Sequence, residues 1–104
     1  MIGIGKWTGD IDTSVFKGSG IVEITDNNGE YDFTVTLDSG AKITSFKVTD
    51  IVEQGNCLSA KASSPAFHNI PVAVSVEFHG DTFEGNIKVP FLGNVPILNG
   101  RRVG

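Results

Sequence analysis

Apolar and polar residues alternate with a period of two along several segments of this chain. Residues 30–37 are apolar at the odd positions and polar at the even ones, and residues 70–78 and 82–89 alternate in a similar way. Because successive side chains of a β-strand point to opposite faces of its sheet, each segment predicts a strand with one apolar and one wet face. One-sided strands favour antiparallel pairing. No window has the apolar spacing of a helix, so the sequence predicts an all-β protein.

Short polar segments that contain glycine separate the predicted strands. Residues 26–29, 38–40, 55–56 and 79–81 are built from amino acids typical of tight hairpins, which tolerate positive φ angles. Around Thr44-Ser45 the apolar phase changes, which predicts a β-bulge or a sharp bend. We count eight or nine strands at this spacing, a number typical of sandwiches and barrels.

A sheet of this size is expected to close on itself. An open sheet would leave two unpaired edges, which favour aggregation, and closure removes them. Eight antiparallel strands form a barrel that side chains can fill or that can hold one small ligand. We therefore expect a single closed antiparallel β-barrel domain over residues 1–104. The length also excludes eightfold β/α barrels, Rossmann dehydrogenases and kinases, which need roughly 200 residues or more.

The two halves of the chain share the phase of their alternation. A shift of 52 residues, from Tyr31 to Phe83, places the apolar positions of segment 31–37 on those of segment 83–89. Residue identity between the halves is low. We therefore treat an internal duplication, with two pseudo-repeated halves, as a hypothesis.

Charge and cysteine content narrow the function classes. The chain carries 12 acidic and 8 basic residues, a net charge of −4, which argues against nucleic-acid binding. Cys57 is the single cysteine, so an intrachain disulfide is excluded, and we interpret it as a small strand residue. Residues 1–5 lack a signal-peptide pattern, and no segment has the length of a membrane span. We expect a cytoplasmic protein, while a mature secreted form would give the same pattern.

The segment Gly5-Lys6-Trp7 resembles the glycine-x-tryptophan signature of lipocalins and other calycins. In that family the tryptophan plugs one end of the barrel and a C-terminal arginine packs over it, so the resemblance implies that Arg101 or Arg102 covers Trp7. Residues 5–13, residues 80–87 and the Pro-x-x-Gly turn at 90–93 are similar to small bacterial lipocalin-like barrel domains of uncharacterised role. The resemblance implies a lipocalin-like fold and says little about function.

The leading functional hypothesis is non-enzymatic binding of a small apolar ligand inside the barrel. Aromatic residues of the strands would line the interior, with a histidine and two phenylalanines near one mouth. The predicted ligand-binding residues are Trp7, Phe33, Phe46, Phe67, His68, Phe83 and Phe91. The small residues Gly20 and Gly85 would leave room for the ligand. The first alternative is a filled core in a structural or protein-interaction module, which would meet a partner or a second copy through an outer face or through loops that carry Phe16 and Phe91.

No group of residues in the sequence predicts a particular reaction. The outward residues Glu77, His79 and Glu84 share one face of a hairpin, but such faces are usually only solvated. The acidic segment 10–14 lacks the glycine and glutamate of a calcium loop. A small barrel enzyme with His68 as general base is the second alternative. We predict no cofactor, no metal and no catalytic residue.

Overall fold

All the regular elements of this chain that the structure bounds are β-strands. The computed structural model describes residues 2–13, 17–38, 40, 42–43, 47–63, 65, 69–90 and 93–104. The strands are β1 (Gly5–Asp12), β2 (Lys17–Asn27), β3 (Glu30–Leu37), β4 (Lys42–Ile43), β5 (Lys47–Gln54), β6 (Cys57–Ser63), β7 (Val72–His79), β8 (Thr82–Val89) and β9 (Gly93–Arg102). The prediction of an all-β chain is confirmed. In these ranges no helix is long and apolar enough to cross a membrane.

The strands form one antiparallel sheet in the order β4-β3-β2-β1-β9-β8-β7-β6-β5. Strands β1 and β9 are neighbours, so the two ends of the chain meet in the middle of the sheet. Strands β4 and β5 lie at opposite edges, although only residues 44–46 separate them in sequence. A chain of that length spans at most about 14 Å. The sheet must therefore curl until its two edges approach each other.

The curled sheet is a half-barrel, and the expected closure of the barrel is wrong. Strand β4 pairs with β3 only opposite Val35 and Thr36, and among the described residues no backbone pairing joins β5 to β3 or β4. The edge strand β5 instead carries Lys47, Asp50 and Glu53. Charged side chains are one of the ways in which sheets protect an open edge, so pairing is not the only solution to the edge problem.

The predicted hairpin turns at 26–29, 55–56 and 79–81 are present, and the one predicted at 38–40 lies partly outside the described residues. Asn28 and Gly29 both have positive φ angles, 53° and 89°, as a two-residue turn of type I′ requires. Gly55 and Gly80 have φ angles of 59° and 65° at the first position of two further two-residue turns. The phase change at Thr44-Ser45 lies outside the described residues. Register shifts that the alternation did not predict occur in the β1–β9, β5–β6 and β8–β9 pairs.

The strand connectivity agrees with an internal duplication. The order β4-β3-β2-β1 of the first half corresponds to the order β9-β8-β7-β6 of the second half. Two cross-strand pairs recur 52 positions later (22 to 74): Val22↔Val35 as Val74↔Ile87, and Val35↔Ile43 as Ile87↔Val95.

The apolar positions of the strands face the concave side of the half-barrel. Among the described apolar residues, those that are buried are Trp7, Ile24, Leu58 and Val95. Cross-strand pairing places Phe33 beside Ile24, Val76 beside Leu58 and Ile87 beside Val95, and directly paired residues share a face. These three neighbours are only half-buried. The concave face therefore keeps apolar surface that the protein does not cover.

Candidate binding cleft

An aromatic cluster around Trp7 closes one end of the half-barrel. The indole is 3% exposed, and its ring centroid lies 4.8 Å from that of Phe78 and 5.7 Å from that of Phe83. The guanidinium carbon of Arg102 lies 4.3 Å from the indole centroid, a cation–π contact. Of the two arginines that the family resemblance implied for this position, Arg102 is therefore the one that covers the tryptophan.

Glycines permit close packing beside this cluster. A Cβ atom on Gly85 would lie 2.7 Å from Cγ1 of Val76, and one on Gly9 would lie 2.5 Å from Cγ2 of Ile97. The space that we expected Gly85 to leave for a ligand is therefore occupied by Val76. A Cβ on Gly20 would lie 3.3 Å from a backbone oxygen, so this glycine is also in close contact with its neighbouring strand.

Residues 2–4, which we call the N-terminal strap, lie across the same end. The carbonyl oxygen of Gly3 accepts a hydrogen bond from Nε1 of Trp7 at 2.8 Å. The carbonyl oxygen of Ile4 accepts one from Nη1 of Arg102 at 3.1 Å. A Cβ on Gly3 would lie 2.4 Å from the ring of Phe78, so the backbone of the strap rests directly on that ring. The strap is thus fixed to the aromatic cluster.

A hydrogen-bonded group of Tyr31, Glu53 and the Ile2 amide joins β3 to β5 at this end. The Tyr31 hydroxyl on β3 donates a hydrogen bond to Oε1 of Glu53 on β5. The Ile2 N–H donates to the Tyr31 oxygen at 2.9 Å and to Glu53 Oε1 at 3.0 Å. Burial and the bond to Glu53 raise the pKa of Tyr31, and the bond from Tyr31 lowers the pKa of Glu53. Both shifts favour the neutral phenol and the ionised carboxylate.

A cleft of about 530 Å³ lies between β5 and the start of β3, the part of β3 that β4 does not pair with. It is lined by Gly29, Glu30, Tyr31, Val48, Ile51 and Glu53. Its volume falls within the range of small-molecule sites, about 300–1,000 Å³. Val48 and Ile51 provide an apolar wall, while Tyr31 and Glu53 place a hydroxyl and a carboxylate at one end. The cleft therefore suits a molecule that has an apolar body and a polar group.

The predicted ligand-binding residues are only partly described by the structure. Trp7 and Phe83 lie together in the aromatic cluster, and Phe33 stacks on Tyr31 with ring centroids 5.9 Å apart. Phe33 thereby connects the concave face to the cleft. The remaining predicted residues lie outside the described ranges, as does Phe16: they are Phe46, Phe67, His68 and Phe91. Their ligand-binding role stays a prediction.

The sequence analysis missed the cleft residues of β5. Glu53 pairs with the buried Leu58, so it lies on the concave face. Simple alternation from Val48 would put the even-numbered residues of β5 on that face, and Glu53 would point to the other side. Asp50 has a positive φ of 53°, and the register of β5 against β6 shifts between Thr49 and Val52. This irregularity turns Glu53 toward Tyr31. An aspartate at an alternation break is the only signal in the sequence that points to it.

A second polar group lies on the convex face of β6 and β7. Oε1 of Glu77 lies 3.1 Å from Nε2 of His79, and the thiol of exposed Cys57 donates to Oε2 of Glu77 at 3.7 Å. Desolvation and the Glu77 carboxylate raise the pKa of Cys57, which keeps the thiol protonated and weakly nucleophilic. In the part of the chain that the structure describes, no group of three or more His, Cys, Asp or Glu residues is arranged to hold a metal.

The fold and the site together define an all-β half-barrel with one end closed by an aromatic cluster and a cleft between its two edges. Comparison of the chain with protein-family models, with curated proteins and with solved structures found no match.

Proposed function

We propose that the protein is a lipocalin-like half-barrel domain that binds a small apolar or amphipathic molecule on its concave face, with the cleft between β3 and β5 as part of the site. The half-buried apolar side chains of the concave face carry this proposal. Phe33, Val76 and Ile87 keep accessible surface although each is paired with a buried residue. A ligand that covered this surface would gain about 25 cal/mol for each Å² removed from water.

The closed end of the half-barrel and the cleft support the same function. The aromatic cluster and the strap close one end, so a bound molecule would lie against a packed surface that contains Trp7 and Arg102. The Phe33–Tyr31 stack continues the apolar surface into the cleft. The contact between Arg102 and Trp7 also supports the lipocalin-like assignment.

The partial exposure of Phe33 and Ile87 also favours ligand binding over a module with a filled core. In a filled core, large side chains cover one another, and interiors are packed as densely as organic crystals. Phe33 and Ile87 would then be buried like the residues they pair with. Here they remain partly accessible, so the concave side has room for another molecule.

The test is binding of N-phenyl-1-naphthylamine, a neutral apolar dye that fluoresces in apolar surroundings. Val48→Gln places an amide in the cleft, and Val52→Gln makes the same change at a residue of β5 that is 54% exposed and does not line the cleft. We expect saturable binding to the wild type, a loss of affinity of about tenfold for V48Q, and a change below about twofold for V52Q.

Two further measurements make this test decisive. Far-UV circular dichroism should show that both variants keep the strand content of the wild type. Native mass spectrometry should show a complex of one dye molecule with one folded chain. Absence of saturable binding by the wild type, or equal losses in the two variants, would contradict the proposal.

A further inference from the structure

We propose that the gap between β3 and β5 is a gate to the concave face, and that Tyr31, Glu53 and the Ile2 amide form the latch that holds it. The role of the gate in ligand access rests on the proposed function. The latch itself is a property of the sheet and can be tested without a ligand.

The facing edges of β3 and β5 are arranged so that they can approach and separate. Strand direction alternates at each of the seven steps from β3 through β2, β1, β9, β8, β7 and β6 to β5, so β3 and β5 run antiparallel. Antiparallel edges can pair directly when they come within about 4.8 Å. Between residues 29–31 of one side and residues 48–53 of the other, the two edges are instead separated by the cleft. This part of the sheet therefore has a paired alternative close to the observed arrangement, in which the latch is formed.

The two ends of the gap are joined in different ways. At the end away from the aromatic cluster, β4 pairs with β3 and the chain itself passes from β4 to β5 through residues 44–46. At the cluster end, the junction is the side-chain hydrogen bond between Tyr31 and Glu53. Because β4 is held to β3 by backbone pairing while the cluster end depends on a side-chain bond, the cluster end is the one that a single side-chain change can open, and the Tyr31–Glu53 bond is its latch.

The N-terminal strap couples the latch to the closed end of the half-barrel. The Ile2 N–H donates to both Tyr31 and Glu53, while the next carbonyls of the strap accept bonds from Trp7 and Arg102. The latch is therefore held against a fixed support. Release of the Ile2 amide would remove one hydrogen bond from each of the two latch side chains.

The latch and the cleft share two residues, so their states are linked. Tyr31 and Glu53 line the cleft and also bridge it. A molecule that moves between the concave face and solvent through this gap must pass the bridge. Breaking the bond from Tyr31 to the charged carboxylate should therefore raise the population of the wide gap, by about tenfold for a hydrogen bond to a charged group.

The test measures the width of the gap directly with two nitroxide spin labels. Asp32→Cys and Val52→Cys place the labels on exposed positions of β3 and β5, in a chain that also carries Cys57→Ser to remove the native thiol. Electron paramagnetic resonance then gives the distribution of label separations. We expect Tyr31→Phe, which removes the donor, to increase the wide population about tenfold, and Glu53→Gln, which keeps an acceptor oxygen but loses the charge, to increase it by a smaller factor. Glu84→Gln, an exposed change on β8, is the control and should leave the distribution unchanged.

The outcomes separate the latch from the proposed function. Identical distributions in the parent, Y31F and E53Q proteins would overturn the latch. Wider distributions with an unchanged association rate of N-phenyl-1-naphthylamine would overturn its role as a gate. Wider distributions in a protein that binds no dye would leave the latch standing and would contradict the proposed function alone. Wider distributions with faster dye association in both latch variants support the full inference.

Discussion

The guanidinium of Arg102 lies on the indole of Trp7, 4.3 Å from its centroid, although 95 positions separate the two residues in sequence (102 minus 7). Pairing of Trp7 with Arg102 between β1 and β9 brings them together. Arg102 also bonds to Asp81 through Nε at 3.2 Å and to the Ile4 carbonyl through Nη1 at 3.1 Å. One side chain therefore connects β9, the turn before β8 and the strap over the closed end.

Replacement of Arg102 by alanine should destabilise the fold. The change removes the cation–π contact and two hydrogen bonds, so we expect a loss of about 1–3 kcal/mol in the free energy of unfolding. Arg101→Ala is the matched control, because Arg101 is exposed and we expect a change below about 0.5 kcal/mol. Urea titration followed by the fluorescence of the single tryptophan measures both. Equal stability of the two variants would show that the contact with Trp7 contributes nothing.

Replacement of Gly85 by alanine should also destabilise the half-barrel. The new Cβ would lie 2.7 Å from Cγ1 of Val76 and 2.8 Å from the carbonyl oxygen of Ser75, and the backbone atom cannot move away easily. Overpacking of this kind costs about 1–3 kcal/mol. Gly20→Ala, whose Cβ would meet its closest neighbour at 3.3 Å, should cost less. Urea titration measures the loss in the free energy of unfolding for each variant. A larger loss for G20A than for G85A would contradict the close packing of Gly85 against Val76 and Ser75.

Strands and turns could be predicted from the sequence because their signals are local. Alternation identifies β3, β7 and β8, and the positive φ of Asn28 and Gly29 follows from residue types that tolerate it. Closure of the barrel could not be predicted, because it depends on whether β3 and β5 meet. The separation of β3 and β5 is set by the curvature of the whole sheet.

The site was only partly predictable because two register shifts change which residues face inward. In β9 the inward residues are Val95 and Ile97, and continued alternation would make Arg101 face inward. Asn99, with a φ of 54°, interrupts the alternation within β9, so that Arg102 pairs with Trp7 instead. The family resemblance allowed either arginine, and only the three-dimensional register distinguishes them. In β5 the positive φ of Asp50 likewise shifts the alternation, so that Glu53 faces inward.

The contribution of the Tyr31–Glu53 bond to stability should have two pH limits. The pKa of Glu53 is lowered below its ordinary value of 4.5, so its contribution is present above that value and is lost as pH falls through the lowered pKa. The pKa of Tyr31 is raised above 10.0, so its contribution is present below that value and is lost as pH rises through the raised pKa. Urea titrations across pH should therefore show the wild type and Y31F differing most between these limits. A difference that does not vary with pH would contradict the bond.

The thiol of Cys57 should react slowly with iodoacetamide although it is exposed. The thiolate is the reactive form, and the neighbouring Glu77 carboxylate disfavours it, because that carboxylate raises the pKa of Cys57 and accepts the thiol hydrogen. Glu77→Gln removes the charge, which should lower the pKa of Cys57 and increase the rate of alkylation at pH 8 severalfold. Glu84→Gln is the matched control, since Glu84 pairs with Glu77 across β7 and β8 and makes the same change in net charge. Mass spectrometry of samples quenched over time gives both rates. If E77Q and E84Q accelerate the reaction equally, the effect comes from the overall charge of the convex face, and the specific bond between Glu77 and Cys57 does not control the thiol.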